Sequence, residues 1–292
     1  MDSKSRGFNC LRLKDLLEGA PTFQFTSVDD MERTVQDFQD RCQNDRWQNE
    51  YVVFKEVPGD ILEQLDRDKW PRLYRSRYLY IHDTRALRIK ITISRGHETA
   101  VCSFSHVLMR KAMEMDVVKE LSGGGSFLMD LENISKRPDR CWGSDNQDYF
   151  TCILEAGLFA SLRKRNRKLV LDARLWLESP ESEDSHVRQV ITIMIASDRP
   201  EITFQKWETA SDQPQRALMT EEVDVYLVNN VPAVTGSLSL SFEKIFERSP
   251  RPNTSEGDIT FTPDDLTAMA WSVWKWQKLI PREMTRNTTS GQ

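Results

Sequence analysis

The stretch Arg188–Ala196, reading RQVITIMIA, constrains the fold more than any other part of the chain. Its second half is apolar at almost every position, so as a strand it has to be covered on both faces. Such a strand sits in the middle of a sheet with helices on each side, which places the chain in the α/β class. Its surroundings agree. Asp198-Arg199-Pro200 reads as a turn, and EITFQKWE after it as an antiparallel partner. VDVYLVN and GSLSLSFEKIF supply further strand. Upstream, Leu87, Ile89, Ile91 and Ile93 alternate with Arg88, Lys90 and Thr92, the period-two pattern of a half-buried strand. Tyr78, Tyr80 and the Asp83-Thr84 step make that strand one arm of a hairpin. SFLMDLE and TCILEAG are short apolar strands, with Glu155 near the end of the second.

The helices come from a different period. Phe104, Leu108, Ala112, Met115 and Val118 share one face of a helix over about Thr99–Leu121, which Gly123-Gly124-Gly125 stops. LRKRNRKLVLDARLWLE forms a second, with Leu169, Ala173, Trp176 and Leu177 buried. Thr262-Pro263-Asp264-Asp265 opens a third: threonine caps, proline suits the first turn, and the acids meet the positive end of the dipole. Ile61, Leu62 and Leu65 suggest a short helix ended near Trp70-Pro71. Residues 1–50 are polar, with Met31, Val35 and Phe38 at helical spacing. They read as a peripheral arm carrying a helix, before an α/β body over 51–281 and a disordered tail over 282–292.

Composition removes several function classes. There are 45 acidic and 40 basic residues, a net charge of −5, which argues against a uniformly basic nucleic-acid-coating protein but not against a local basic patch. No run of about 18 apolar residues exists, so no membrane partner is expected. The N-terminus lacks a secretory apolar segment, and the 5 cysteines are scattered, which together suggest an intracellular protein, cytoplasmic or nuclear. Metal binding through thiol and imidazole lacks its spacing: there is no Cys-x-x-Cys, and His97-Glu98 continues as HETAV, not as His-Glu-x-x-His. There is no Gly-x-Ser-x-Gly for a serine nucleophile. The triple glycine follows a helix and lacks the Lys-Ser/Thr of a phosphate loop.

What remains is a carboxylate cluster. Asp139 lies on the turn Lys136-Arg137-Pro138-Asp139, and Glu155 lies on an apolar strand, where a carboxylate needs a ligand, a metal or a cation. Lys168 lies on the following helix, where it can lean toward the sheet edge. Two hard carboxylates can hold Mg²⁺, and a lysine can orient a water. The same three residues also read as a surface acid, a strand acid and a solvated lysine. Arg163, Lys164, Arg165, Arg167 and Lys168 fall close together with no acid among them; with Lys136, Arg137 and Arg140 they could meet phosphates.

These residues also carry a resemblance. Pro138-Asp139, CILEAG, KLVLDARLWLE, VRQVITIMI and ITFQKWE, in that order, resemble a large group of fungal proteins of the restriction-endonuclease-like PD-(D/E)XK superfamily, close in pattern to the bacterial Uma-type domains. The upstream alternating strand, His97-Glu98 with its helix, and DLTAMAWSVW fit the same order, so the likeness covers about Arg72–Gln277. It implies a restriction-endonuclease-like fold, a central mixed sheet flanked by helices, and metal-dependent phosphodiester hydrolysis or a degenerate descendant of it. Asp139 and Glu155 would bind Mg²⁺ and Lys168 would orient the water. Glu98 matches the acid these folds often carry on the first helix. The chain departs at Gly157, where D/E-x-K has lysine, and after Pro-Asp, where it reads CWGSDNQDYF. The alternative is a non-catalytic use of the fold: binding nucleic acid or protein, or holding a small-molecule ligand under Cys141, Trp142, Tyr149 and Phe150 as an accessory protein of a fungal metabolic pathway.

Overall fold

The computed structural model describes residues 16–44, 51–65, 70, 73, 76–91, 94–125, 127–159, 167–179, 185–210 and 216–280. They belong to two compact units, Met1–Ile93 with Ser126–Pro138, and Ser94–Gly125 with Asp139–Gln292. The body expected over 51–281 is thus divided between them.

The first unit is built on six strands: β1 (Thr22–Gln24), β2 (Tyr51–Lys55), β3 (Arg77–Ile81), β4 (Ala86–Lys90), β6 (Met129–Leu131) and β7 (Ile134–Lys136), in the order β1-β2-β4-β3-β7-β6. Among the described residues it also carries helices α1 (Val28–Asn44) and α2 (Ile61–Leu65). Val52, Phe54, Tyr78, Tyr80, Leu87 and Ile89 point to one face and pack with Val28, Met31, Val35 and Phe38 of α1. The helix expected in the arm therefore supplies core. The β3–β4 hairpin forms as expected, but β4 is not half-buried: Arg88 and Lys90 are each 4% exposed. Arg88 is buried because it finds partners, donating to Leu16 O at 3.2 Å and lying over the Tyr51 ring.

The second unit holds a seven-stranded sheet in the order β13-β12-β11-β10-β9-β8-β5. Its strands are β5 (Leu121–Gly124), β8 (Arg140–Ser144), β9 (Phe150–Phe159), β10 (Ser185–Ala196), β11 (Glu201–Thr209), β12 (Ala217–Val228) and β13 (Val231–Val234). Its main helices are α3 (Arg95–Glu114), α4 (Arg167–Glu178) and, after the short α5 (Phe242–Phe246), α6 (Pro263–Gln277). A small pair, β14 (Leu238–Leu240) and β15 (Ile259–Phe261), lies beside the main sheet. Strands β9 and β10 run parallel, which requires a crossover, and α4 is that crossover. Cys152, Leu154, Ala156, Ile191, Ile193 and Ile195 face α3 and α6; Phe159, Met194 and Ala196 face Leu169 of α4. The apolar strand 188–196 is therefore central and covered on both faces, as its composition requires. The chain is a mixed α/β fold with helices flanking the sheet.

Two local readings change. The triple glycine does not stop a helix: α3 ends at Glu114, and Gly123 and Gly124 lie in β5, paired with Trp142 and Cys141. A Cβ at Gly123 would meet Trp142 Cδ1 at 3.0 Å, so glycine is there to let the indole lie over the strand. FEKIF is not strand but α5, capped by Ser241. The 262–265 segment forms the cap expected of it, with Thr262 and Asp265 in a reciprocal capping box.

A charged clasp ties the turn Val118–Glu120 to residues 248–256. Arg248 bonds Glu256 Oε2 at 2.7 Å and Glu120 Oε2 at 2.8 Å, and Arg251 joins Glu120. The hydrogen-bonded Arg248 guanidinium holds the Glu256 carboxyl at about 2, below its ordinary 4.5, and holds Glu120 low as well. Depressed carboxyl values in the fold mean stability that is present above about pH 4.5 and lost as pH falls toward about 2. Arg248→Met should flatten that part of the melting-temperature profile; equal acid slopes in both proteins would show that the clasp contributes nothing.

Candidate functional site

The site grows from the β8–β9 pairing. Arg140 pairs with Leu154, so one further antiparallel step places Asp139 across from Glu155. Glu155 is not at a strand end, as expected, but in the middle of β9, which continues to Phe159. Asp139 is 0% and Glu155 5% exposed. Two carboxylates so buried need hydrogen-bond donors. Asp139 Oδ2 accepts from the Ala156 amide at 2.8 Å and from His97 Nε2 at 3.0 Å. Glu155 Oε1 accepts from Trp176 Nε1 at 2.8 Å. The acids are thus held by different helices, Asp139 by α3 and Glu155 by α4.

His97 is the third residue of α3, and its amide is bonded to the cap residue Ser94. Its ring is 1% exposed and lies between two acids: Nδ1 is 3.5 Å from Glu98 Oε1, and Nε2 reaches Asp139. Glu98 itself is more than a third exposed. Lys168 is half-buried on the first turn of α4. Lys168, the buried Asp172 and Trp176 succeed one another at four-residue steps, one stripe of the helix. Long helical side chains lean toward the N-terminus, so the Trp176 indole is carried toward the lysine end of that stripe. From β9 a row of polar residues crosses the sheet in register: Glu155 beside Thr192, Thr192 beside Gln205, Gln205 beside Glu222. Thr192 Oγ1 donates to Gln205 Oε1 and accepts from Trp207 Nε1, each at 3.2 Å, and Gln205 Nε2 donates to Glu222 at 2.6 Å.

The other expected site residues are distributed differently. Lys136 and Arg137 belong to the first unit and are buried, Arg137 over the Tyr78 ring. A buried cation does not offer its charge to a phosphate backbone, so both leave the expected nucleic-acid surface. Arg167 is exposed at the start of α4; Arg163, Lys164 and Arg165 lie outside the described residues. The aromatic lid is not formed by Cys141 and Trp142, which are strand residues; Trp142 is core beside Phe104. Tyr149 stacks on His186 and donates to Glu247. A hollow of about 340 Å³ is lined by Arg188, Glu243, Lys244, Glu247, Arg248 and Ser249, not by the carboxylate pair. Sequence reasoning passed over His97 because it had no metal spacing, and read Trp176 only as core. The signal was present in both cases as order: His97 beside Glu98 at a helix start, and Trp176 on the helix after Glu155.

Among the described residues no group of three or more His, Cys, Asp or Glu is arranged to enclose a metal ion. Mg²⁺ does not require one, since it is commonly held by one or two carboxylates, with water and substrate completing the shell. Asp139 and Glu155 are hard oxygen donors of the kind such an ion takes, each with one oxygen oriented by N–H groups. Among the described residues no helix is long and apolar enough to cross a membrane. No family model and no curated protein matches the chain. Among solved structures it is similar to a candidate nuclease belonging to DUF820 from Anabaena variabilis ATCC 29413, with 11% identity over 66% of this chain and 90% of that one and a TM-score of 0.35.

Proposed function

We propose that the second unit is a nuclease-like centre for metal-dependent hydrolysis of phosphodiesters, related to the fungal PD-(D/E)XK proteins of Uma type, with Asp139 and Glu155 as the Mg²⁺ ligands. One observation carries this reading: two buried carboxylates lie at facing positions, Asp139 just before β8 and Glu155 within β9, and each has an oxygen fixed by an N–H donor. Asp139 and Glu155 would hold the cation, whose chemistry when bound would be Lewis-acid polarisation of the phosphoryl group and activation of water at neutral pH. The protein's own groups then have distinct tasks. The Ala156 amide and the His97 and Trp176 rings aim the two carboxylates. Lys168 orients the attacking water from helix α4, standing in for the lysine that Gly157 replaces. Arg167, exposed at the start of α4, draws the phosphates of nucleic acid; Arg163, Lys164 and Arg165 belong to the same basic run of the sequence.

The test is calorimetric titration with Mg²⁺ and Mn²⁺, with cleavage of DNA and RNA followed in parallel. Glu155→Gln should abolish both ion binding and cleavage. Its stability without metal should stay near that of the wild type, because repulsion between the carboxylates is relieved. A wild type that binds neither ion at millimolar concentration, together with a destabilised Gln variant, sinks the hydrolytic reading and leaves a binding role for the unit.

A further inference from the structure

We infer that His97 is a positioning residue for Asp139, and that Glu98 acts on the same carboxylate through the imidazole and not as a ligand of its own. The inference concerns this chain's apo geometry; only its metal arm rests on the hydrolytic reading above. His97 is fixed at both ends. Its amide is bonded to Ser94 Oγ at 3.1 Å, and its Nε2 lies 3.0 Å from Asp139 Oδ2. With the ring and the aspartate both buried, solvent does not compete for that bond. The Ala156 amide donates to the same oxygen at 2.8 Å. Two donors converging on Oδ2, one from α3 and one from β9, leave the aspartate a single orientation.

Glu98 fits the supporting part better than the leading one. Its Oε1 lies 3.5 Å from His97 Nδ1, on the far side of the ring from Asp139. The Nε2 bond to Asp139 sets the plane and the tautomer of the imidazole, and the Glu98 carboxylate near Nδ1 adds negative charge on the ring's other side. The order is therefore Glu98, imidazole, Asp139, with only the last presenting oxygen to the site. Partners of this kind, one step behind a ligand, commonly change metal affinity by about 10–100-fold when removed.

Amide hydrogen exchange reads the aspartate's position without any metal, because the Ala156 amide is protected by Asp139. His97→Leu removes the donor and keeps bulk; His97→Gln places an amide nitrogen near the Nε2 position. In the Leu variant, where a buried acceptor is left short of a donor and the melting temperature falls, the Ala156 amide should accelerate about tenfold or more beyond Ile153 and Leu154. The Gln variant should keep Ala156 protected. Unchanged Ala156 exchange in the Leu variant overturns the inference. So does a uniform acceleration along β9, which is the mark of a merely structural histidine. Should the Leu variant not fold, His97→Asn, too short to reach Asp139, takes its place in the same comparison. In the metal arm, Mn²⁺ affinity should fall about 10–100-fold for Leu and little for Gln. Glu98→Gln should lower that affinity measurably but less than His97→Leu does, and should have no effect in the His97→Leu background; no effect in the wild-type background, or a loss as large as that of Asp139→Asn, overturns its part. A wild type that binds no Mn²⁺ defeats the hydrolytic reading, while Ala156 exchange still decides the place of His97.

Discussion

Deleting residues 1–45 should abolish the cooperative folding of the first unit. Helix α1 places Val28, Met31, Val35 and Phe38 on one stripe, and all four are buried against the six-stranded sheet. Burying each such side chain is worth about 1.5–3 kcal/mol, so the helix contributes an amount comparable with the whole stability of a small domain. The deletion also removes Asp29, whose Oδ1 accepts from the buried Trp70 indole at 2.8 Å, and Phe23, which meets Phe38 edge-on. The polar character of 1–50 suggested instead that the truncated chain would keep its body. Calorimetry on the truncated protein decides. Retention of every wild-type transition, with native amide dispersion for 51–91, would mean that the sheet stands without α1.

Trp176→Ala should be among the most damaging single changes, for two separable reasons. The side chain is 2% exposed, and removing a buried tryptophan costs about 3–5 kcal/mol through lost packing and the cavity left behind. Its indole N–H is also a donor to the buried Glu155 carboxylate. Trp176→Phe keeps most of the packing and loses only the donor, so it should cost about 1–3 kcal/mol, the penalty for a buried acceptor left short of a partner. Urea titrations of the two variants separate these contributions. If Phe is neutral while Ala is costly, the indole is packing alone and Glu155 is held by other means.

The sheet of the second unit was legible in the sequence because its signals are local. RQVITIMIA announces a strand covered on both faces, and Thr262-Pro263 announces a helix start, whatever the rest of the chain does. Long-range partners decide what local pattern could not. Gly123 and Gly124 read as a helix stop, yet pairing with Cys141 and Trp142 makes them strand. Arg88 and Lys90 read as solvent-facing by alternation, but an apolar-looking pattern does not say that the polar face will be buried too. The site divides in the same way. Asp139 and Glu155 were visible by order and by the oddity of an acid in an apolar strand. His97 was not, because 42 residues separate it from the aspartate it touches. The boundary of the first unit was hidden for the same reason: β7 returns to pair with β3, bringing β6 beside it, across α3 and β5.

The polar row from Glu155 to Glu222 bears on how the second unit chooses one sheet among several. Val, Ile and Met fill both faces of β10, so its apolar pattern barely distinguishes one strand alignment from another displaced along the same axis. Thr192 and Gln205 do distinguish them. A displaced β10 or β11 would bury a hydroxyl or an amide opposite hydrocarbon, at about 1–3 kcal/mol for each group left without its partner. The row therefore acts as a key for strand registry. The sheet can be oily enough to be stable because four polar residues in line make its misaligned alternatives expensive.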